Sequence, residues 1–334
     1  MSTGRNAGID LLRGVAVLLV MLRHAFPELF GGAGIVGVVM FFALSGHLIT
    51  GVLLDELTAR GSIRLRRFAW RRAVRLVPAL VTMMACFVLV TLVFDPLGDK
   101  ETLPRTVLVA LTWTANLPFD HGSDAIFHLW TLAMEEQFYL VWPALLLLAW
   151  RWRKIRPLLI GAGAISLALC VLSLLWAGEY PDLVYTFHTS WTICFVIGAA
   201  SRVLRDRIRV PGFVTPIGCA VLAALSVIPL RGHAATYLIA APVIAIVTAL
   251  FISRAWRHGD AVPFPAVRPL VALGIVSYAA YLWNYPITLW LRGTFPAAEL
   301  VAALLTVVAA TLSWWLVEKP ISRLARSSPR SAVR

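Results

Sequence analysis

An arginine and a histidine lie eleven residues apart in the apolar stretch near the N-terminus, at Arg13 and His24. In an α-helix this spacing is about three turns, which places both side chains on one face, about 16 Å apart along the axis. Ionisable groups inside an apolar helix are costly and usually functional, and an imidazole can act as a general base near neutral pH. The alternative is that Arg13 pairs with Asp10 and that His24 is an interfacial histidine.

Three arginines, Arg71, Arg72 and Arg75, lie at the start of another apolar stretch. Guanidinium groups bind phosphate oxygens in pairs and stay charged, so this cluster suits a phosphate-bearing ligand. Arg71 and Arg75 share a helix face and repel each other unless an anion lies between them. The alternative is that these arginines only anchor the chain at the cytoplasmic surface of a membrane.

A third group combines an imidazole, a carboxylate and hydroxyls. His128 and Glu135 are seven residues apart, so one continuous helix would place them on the same side, together with Thr131 and Tyr139. Glu135 would lie about 10 Å deeper than His128, where a carboxylate needs a polar partner or a wet cavity. The alternative is a structural ion pair of Glu135 or Glu136 with a buried arginine, and Glu136 points away from the shared face.

Ser45 is a further candidate, either as a nucleophile or as a contact for the substrate. A serine beside a glycine in a membrane helix more often serves close helix packing, and Gly46 follows directly. The cysteines lie in apolar runs without a CxxC spacing or an ordered set of Cys and His ligands. We therefore predict neither a metal site nor a disulfide framework.

The composition shows what must position these residues. The chain of 334 residues is 60% hydrophobic and 14% charged, against about 45–50% and about 25% in soluble domains. The apolar excess is too large for one soluble core, so much of it must face lipid. The net charge of +13 comes from arginine clusters between apolar stretches, which indicates membrane topology rather than nucleic-acid binding.

The apolar runs predict an all-α, polytopic membrane protein with about ten transmembrane helices, since about 20 apolar residues are needed for each crossing. An eleventh run, at 105–117, is too short to cross and is expected to be re-entrant or interfacial. The ten predicted spans are 9–26, 35–57, 73–94, 127–150, 158–177, 184–204, 213–230, 234–253, 268–292 and 297–317.

Arginine and lysine are concentrated in alternate connections, which assigns those connections to the cytoplasm. Both termini are then cytoplasmic, and we expect a multi-pass protein of a bacterial-type cytoplasmic (inner) membrane. Residues 1–321 form the predicted membrane domain, and residues 322–334 form a polar tail that we expect to be disordered. The basic connections are 60–72, 151–156, 202–209 and 254–257, together with the C-terminal tail.

Six strings in order along the chain resemble the integral-membrane acyltransferase family 3, the O-antigen acetylase-like proteins. Each string alone is weakly specific, but six in sequence within a ten-span layout make a strong match. The strings are DLLRG at 10–14 with His24, GVVMFFALSG at 37–46, RRAVRLVP at 71–78, WTLAMEEQFYL at 130–140, SYAAYLWNYP at 277–286 and EKP at 318–320.

The resemblance implies an O-acyltransferase that moves an acyl group, usually acetyl, from cytoplasmic acyl-CoA to a hydroxyl. The acceptor would be a sugar, a glycolipid or a glycosylated natural product, and no cofactor would be tightly bound. The functional pair of the family corresponds to Arg13 and His24, and its helix-5 glutamate corresponds to Glu135. The arginine-rich entrance of the family corresponds to Arg71, Arg72 and Arg75. Asn284 is a departure, because many relatives carry histidine there, so a role for that histidine does not carry over.

These observations give one mechanistic hypothesis. The arginines, including Arg13, hold acyl-CoA, His24 takes the proton of the acceptor hydroxyl, and Glu135 orients or stabilises the imidazole. Ser45, His128 and Tyr139 are expected to contact the substrate, and an acyl intermediate on His24 or Ser45 is chemically open. Some members carry a fused soluble hydrolase-like domain, which this sequence lacks, so we expect it to act alone. A proton-coupled transporter or lipid flippase is the rival hypothesis, with the same ionisable groups forming a proton relay. No inverted repeat supports that rival.

Overall fold

A computed structural model describes residues 6–258 and 265–327, and this part of the chain is helical and contains no strand. The chain divides into two compact units. The first unit consists of Met1–Ile63, Asn116–Pro118 and Trp130–Ile275. The second unit consists of Arg64–Ala115, Phe119–Leu129 and Val276–Arg334.

Thirteen α-helices, joined by short 3-10 and π-helical turns, make up the described residues. They are α1 (Ala7–Ala25), α2 (Ala33–Arg60), α3 (Leu65–Phe94), α4 (Leu103–Thr112), α5 (Trp130–Arg151), α6 (Ile155–Ala177), α7 (His188–Val203), α8 (Val214–Val227), α9 (Ala241–His258), α10 (Arg268–Ile275), α11 (Ser277–Leu291), α12 (Ala298–Ser313) and α13 (Lys319–Ser327).

By length and composition, six helical segments of the described residues could cross a membrane, or seven if the helix pair interrupted at Val276 counts as one span. These segments contain α2, α3, α5, α6, α9 and α12. Helix α1 fails on charge because it carries Asp10, Arg13 and Arg23, and α7 and α8 are short, at 16 and 14 residues. A multi-pass helical protein is therefore supported, while the ten-span layout and the cytoplasmic termini stay predictions.

Helix α4 occupies most of the run that we expected not to cross. It has 10 residues, which is about 15 Å and half of the hydrocarbon thickness. Pro104 lies in its first turn, where a missing N–H costs nothing, and Trp113 ends it in a left-handed conformation. The short length expected from the sequence is confirmed.

The first unit is packed around α2, which contacts α1, α5, α7, α8 and α9. The tightest crossing is with α7. A Cβ atom at Gly46 would overlap the carbonyl oxygen of Phe195, and a Cβ atom at Gly198 would overlap that of Ala43. Glycine at both positions lets the two backbones touch, as is common in membrane helix pairs.

The second unit contains α3, α4, α11, α12 and α13. Helix α11 packs against α12 and α3. The hydroxyl of Tyr278 donates a hydrogen bond of 3.0 Å to the carbonyl oxygen of Leu76. Further along the same helices the rings of Phe87 and Trp290 stack with centroids 5.9 Å apart, so α11 is fixed to α3 at two levels.

Helix α13 continues through the start of the segment that we expected to be a disordered tail. It runs to Ser327, whereas the predicted tail begins at Ser322. The Lys319 ammonium lies over the Trp315 ring, 3.2 Å from its centroid, and α13 packs against α3. These contacts explain why residues 322–327 are helical. The remainder of the predicted tail, 328–334, lies outside the described residues.

Candidate active site

The carboxylate of Glu135 is held by two hydroxyls in the first unit. Ser45 on α2 donates a hydrogen bond of 3.0 Å to Oε1, and Tyr139 on α5 donates one of 2.9 Å to Oε2. Each carboxylate oxygen thus accepts a hydrogen bond from a hydroxyl, an arrangement that suits the ionised form. Glu135 itself is half-buried. Ser45, which the sequence singled out separately, therefore meets Glu135 and Tyr139 at one group.

Local geometry explains how these three side chains meet. Tyr139 lies one turn after Glu135 on α5, so the two share a helix face. Ser45 comes from α2, whose neighbouring residue Gly46 faces α7 instead. The two adjacent residues therefore have different roles. Gly46 permits the close helix crossing, and Ser45 binds the carboxylate.

Aromatic rings fix α5 beside this group. The ring of Phe138 stacks between those of Trp142 and Phe195, with centroids 5.2 and 4.7 Å apart. The indole N–H of Trp142 also donates a hydrogen bond of 2.8 Å to Thr50 on α2. These contacts hold α5 in register with α2, one to two turns after Glu135, in surroundings that are largely apolar.

Helix α1 carries the predicted pair of ionisable residues. It is continuous from Ala7 to Ala25, so Arg13 and His24 keep their expected spacing of about 16 Å on one face. Both side chains are half-buried. His24 lies in the last turn, where the helix dipole favours a positive charge. The pair belongs to the same unit as Glu135.

The arginines of α3 belong to the second unit. Arg71 and Arg75 are exposed, and Arg72 is half-buried. They lie in the second and third turns of α3, which begins at Leu65. The structure thus presents a cationic helix start, as predicted.

His128 does not lie on the α-helix that carries Glu135. It lies in a 3-10 segment, Asp124–Leu129, and the α-helix begins only at Trp130. The two residues belong to different units, so their grouping on one face stays a prediction. His128 is buried in the second unit, with its ring 5.5 Å from that of Tyr281 and 5.4 Å from that of Tyr285.

Other polar contacts depend on tertiary neighbours that the sequence does not reveal. Tyr281 donates a hydrogen bond of 2.9 Å to the backbone carbonyl of His128. The amides of Asn116 and Gln137 pair reciprocally, at 3.1 and 2.8 Å, and tie the loop after α4 to α5. Asn284 is buried and donates a long bond of 3.4 Å to Thr306. In the sequence, the closest indication of such a contact is a polar residue within an apolar run.

His47, two residues after Ser45, is a buried histidine. Its Nδ1 atom lies 2.8 Å from the Ser201 hydroxyl, and its ring stacks on Trp256 with centroids 6.3 Å apart. Ser201 donates its own proton to the carbonyl of Gly198. His47 therefore joins α2 to α7 and α9 within the first unit.

Comparison with known proteins finds bacterial O-acetyltransferases. The chain is 30% identical to the peptidoglycan O-acetyltransferase OatA of Listeria monocytogenes, over 94% of this chain and 55% of that protein. It is 28% identical to the O-acetyltransferase OatA of Staphylococcus aureus, over 95% of this chain and 57% of that protein. The chain thus spans little more than half the length of these relatives. No solved structure matches it.

The sequence profile of the acyltransferase domain family matches residues 6–319. This range includes every residue selected above, from Arg13 on α1 to Asn284 on α11, and most of both structural units. The chain therefore belongs to the acyltransferase family 3 of membrane O-acyltransferases.

Proposed function

We propose that this chain transfers an acetyl group from cytoplasmic acyl-CoA to a hydroxyl group of a glycan at the outer side of the membrane. The observation that carries the proposal is the Ser45–Glu135–Tyr139 group, an ionisable residue held by two hydroxyls inside a helical bundle. Such a group is costly in a membrane and is usually retained for function.

The relatives support a carbohydrate acceptor. The protein from Listeria monocytogenes is named as a peptidoglycan O-acetyltransferase, and peptidoglycan carries sugar hydroxyls. This chain covers 55% of that relative. The acceptor of this chain is therefore proposed and not taken over from the relative. We take a peptidoglycan-type glycan as the first acceptor to test, with glycolipids and glycosides as alternatives.

The positive charge at the start of α3 supports an acyl donor that carries phosphate groups. The start of α3 presents Arg71 and Arg75 to solvent, and paired guanidiniums suit the phosphates of CoA. The basic connections place this end of α3 on the cytoplasmic side in the predicted topology, where acyl-CoA is available. The acyl thioester would then reach the bundle through the flexible arm of CoA.

In the proposed reaction the acceptor oxygen attacks the thioester carbonyl while His24 removes the hydroxyl proton. The carbonyl–sulfur bond then breaks, CoA leaves as the thiolate, and the proton on the imidazole passes to that sulfur. We assign to Glu135 the role of stabilising the positive charge of the imidazolium rather than that of the base, because both of its oxygens already accept hydrogen bonds from hydroxyls. Ser45 and Tyr139 thereby become positioning residues.

The test is an assay of the purified chain in lipid nanodiscs with radiolabelled acetyl-CoA and three acceptors: peptidoglycan fragments, a glycolipid and a simple glycoside. We expect label on a sugar oxygen and release of one CoA for each acetyl transferred. A transporter would instead carry label into sealed proteoliposomes without forming an ester. That second outcome, with no ester on any acceptor, would overturn the proposal.

A further inference from the structure

A cavity of about 680 Å³ opens in the first unit beside the connection between α5 and α6. Its lining combines two guanidinium groups with apolar and aromatic side chains. None of these residues belongs to the candidate active site. The lining residues are Trp150, Arg153, Ile155, Arg156, Pro157 and Val203.

The backbone at Arg153 is in the left-handed region, with φ of 55°. Its N–H bonds to the carbonyl of Trp150, and the N–H of Lys154 bonds to that of Ala149. This pattern is the Schellman motif, in which glycine is the usual residue at the left-handed position because it has no Cβ. An arginine here carries a backbone cost that glycine would avoid, and its side chain lines the cavity.

The cavity is cationic. Arg153 and Arg156 are both exposed, and among the residues that the structure describes neither guanidinium has an ion-pair partner. The stretch from Arg151 to Leu158 contains no acidic residue. Two unneutralised guanidiniums at one opening favour an anion, and phosphate oxygens match their geometry.

An exposed aliphatic surface on α6 begins next to the cationic lining of the cavity. Ile160 lies one turn after Arg156 on the same face of α6 and is 73% exposed. Leu167 and Leu175 are also exposed and extend this face along the helix. Trp152, exposed in the same connection, is typical of residues at the level of lipid headgroups.

We propose that the cavity binds the phosphate of an anionic phospholipid between Arg153 and Arg156, with the acyl chains lying along the exposed face of α6. Basic pockets near membrane surfaces bind anionic headgroups in this way. The combination of a phosphate-binding opening with a contiguous aliphatic helix face fits a lipid better than a soluble phosphate, which would leave that face unused. This inference is independent of acyl transfer.

The test measures lipid binding by native mass spectrometry of the full chain titrated with phosphatidylglycerol or phosphatidylcholine. We expect wild-type protein to prefer phosphatidylglycerol, and Arg153→Gly and Arg156→Gln each to weaken its binding about 10- to 100-fold. Arg153→Gly keeps the left-handed turn, so loss of folding does not confound the result. Lys154→Gln is the matched control, because Lys154 is an exposed cation of the same connection outside the lining.

Three outcomes would overturn the inference. Equal binding of the two lipids, or loss with Lys154→Gln as large as with Arg153→Gly, would show that the cavity does not select the headgroup. Displacement of phosphatidylglycerol by adenosine 3′,5′-bisphosphate would assign the cavity to a soluble phosphate ligand. The binding readout does not use acetyl transfer, so a failure here leaves the proposed reaction intact.

Discussion

Residues on three helices carry the proposed chemistry, and each has a separable task. His24 on α1 is the proposed base, Glu135 on α5 is held by hydroxyls from α2 and α5, and the arginines of α3 are the proposed donor site. Because these residues have different proposed tasks, substitutions at these positions should fail in different ways.

His24→Ala should abolish transfer while leaving donor binding almost unchanged. A general base contributes about 10²- to 10⁴-fold in rate, so we expect a loss of that size with acyl-CoA affinity within a few-fold of wild type. His24→Gln should not rescue activity, because an amide cannot accept a proton near neutral pH. Transfer rate and acyl-CoA affinity measured on the same preparation check this. Near-normal transfer by folded His24→Ala would move the base elsewhere, with Glu135 next.

Arg71→Ala and Arg75→Ala should each weaken acyl-CoA binding. A hydrogen bond to a charged group contributes about 1.5–3 kcal/mol, so losing one phosphate contact corresponds to roughly 10- to 100-fold in affinity. Lysine should restore binding only in part, because it lacks the planar fork. Arg66→Ala, an exposed arginine one turn earlier, is the control. Equal affinities for all of these variants, measured by calorimetry, would place the phosphates at another site.

Tyr139→Phe and Glu135→Gln should be coupled in a double-mutant cycle. Tyr139→Phe removes one hydrogen bond to the carboxylate and keeps the ring, so we expect a coupling energy of about 1–3 kcal/mol in transfer rate. Tyr180→Phe, at an exposed tyrosine, should combine additively with Glu135→Gln. Additive behaviour at Tyr139 would mean that its hydroxyl does not act through Glu135.

At the scale of helices, the crossing of α2 and α7 sets the position of Ser45. Gly46→Ala would drive a methyl group into the carbonyl oxygen of Phe195, so the helices must separate or rotate. We expect a lower melting temperature and lower transfer activity. Gly161→Ala on α6 has open space at its Cβ position and should leave both unchanged. Thermal unfolding in detergent compares the two variants, and equal melting temperatures would contradict the close crossing.

Apolar length and periodicity predicted most of these helices, because a membrane span must satisfy its backbone internally. The register of Arg13 and His24 follows from one uninterrupted helix, and the shortness of α4 follows from counting residues. The 3-10 segment that contains His128 was not predicted, because apolar residues fit a 3-10 turn as well as an α-helix. The contact of Ser45 with Glu135 joins residues 90 positions apart, and no local pattern encodes which helices become neighbours.

At the scale of the whole molecule, the distribution of arginine and lysine predicts the topology. The structure adds that α4, with 10 residues, is too short to cross, so the positions before and after it should lie on the same side. Reporter fusions measure this. We expect fusions after Thr58, Lys154 and Arg326 to report the cytoplasm, and fusions after Asp99, Asp120 and Gly178 to report the outside. Opposite reports from positions 99 and 120 would show that the segment between them crosses.

The shortness of α8 has a consequence for the surrounding lipid. Helix α8 has 14 residues, or about 21 Å, whereas the hydrocarbon region is about 30 Å thick. In the predicted layout α8 crosses the membrane, and the bilayer beside it must thin by several ångströms at a cost of fractions of a kcal/mol per ångström. Acyl-chain length then becomes an energetic variable for this protein, so membranes of short-chain lipids favour the packed bundle and thick membranes oppose it.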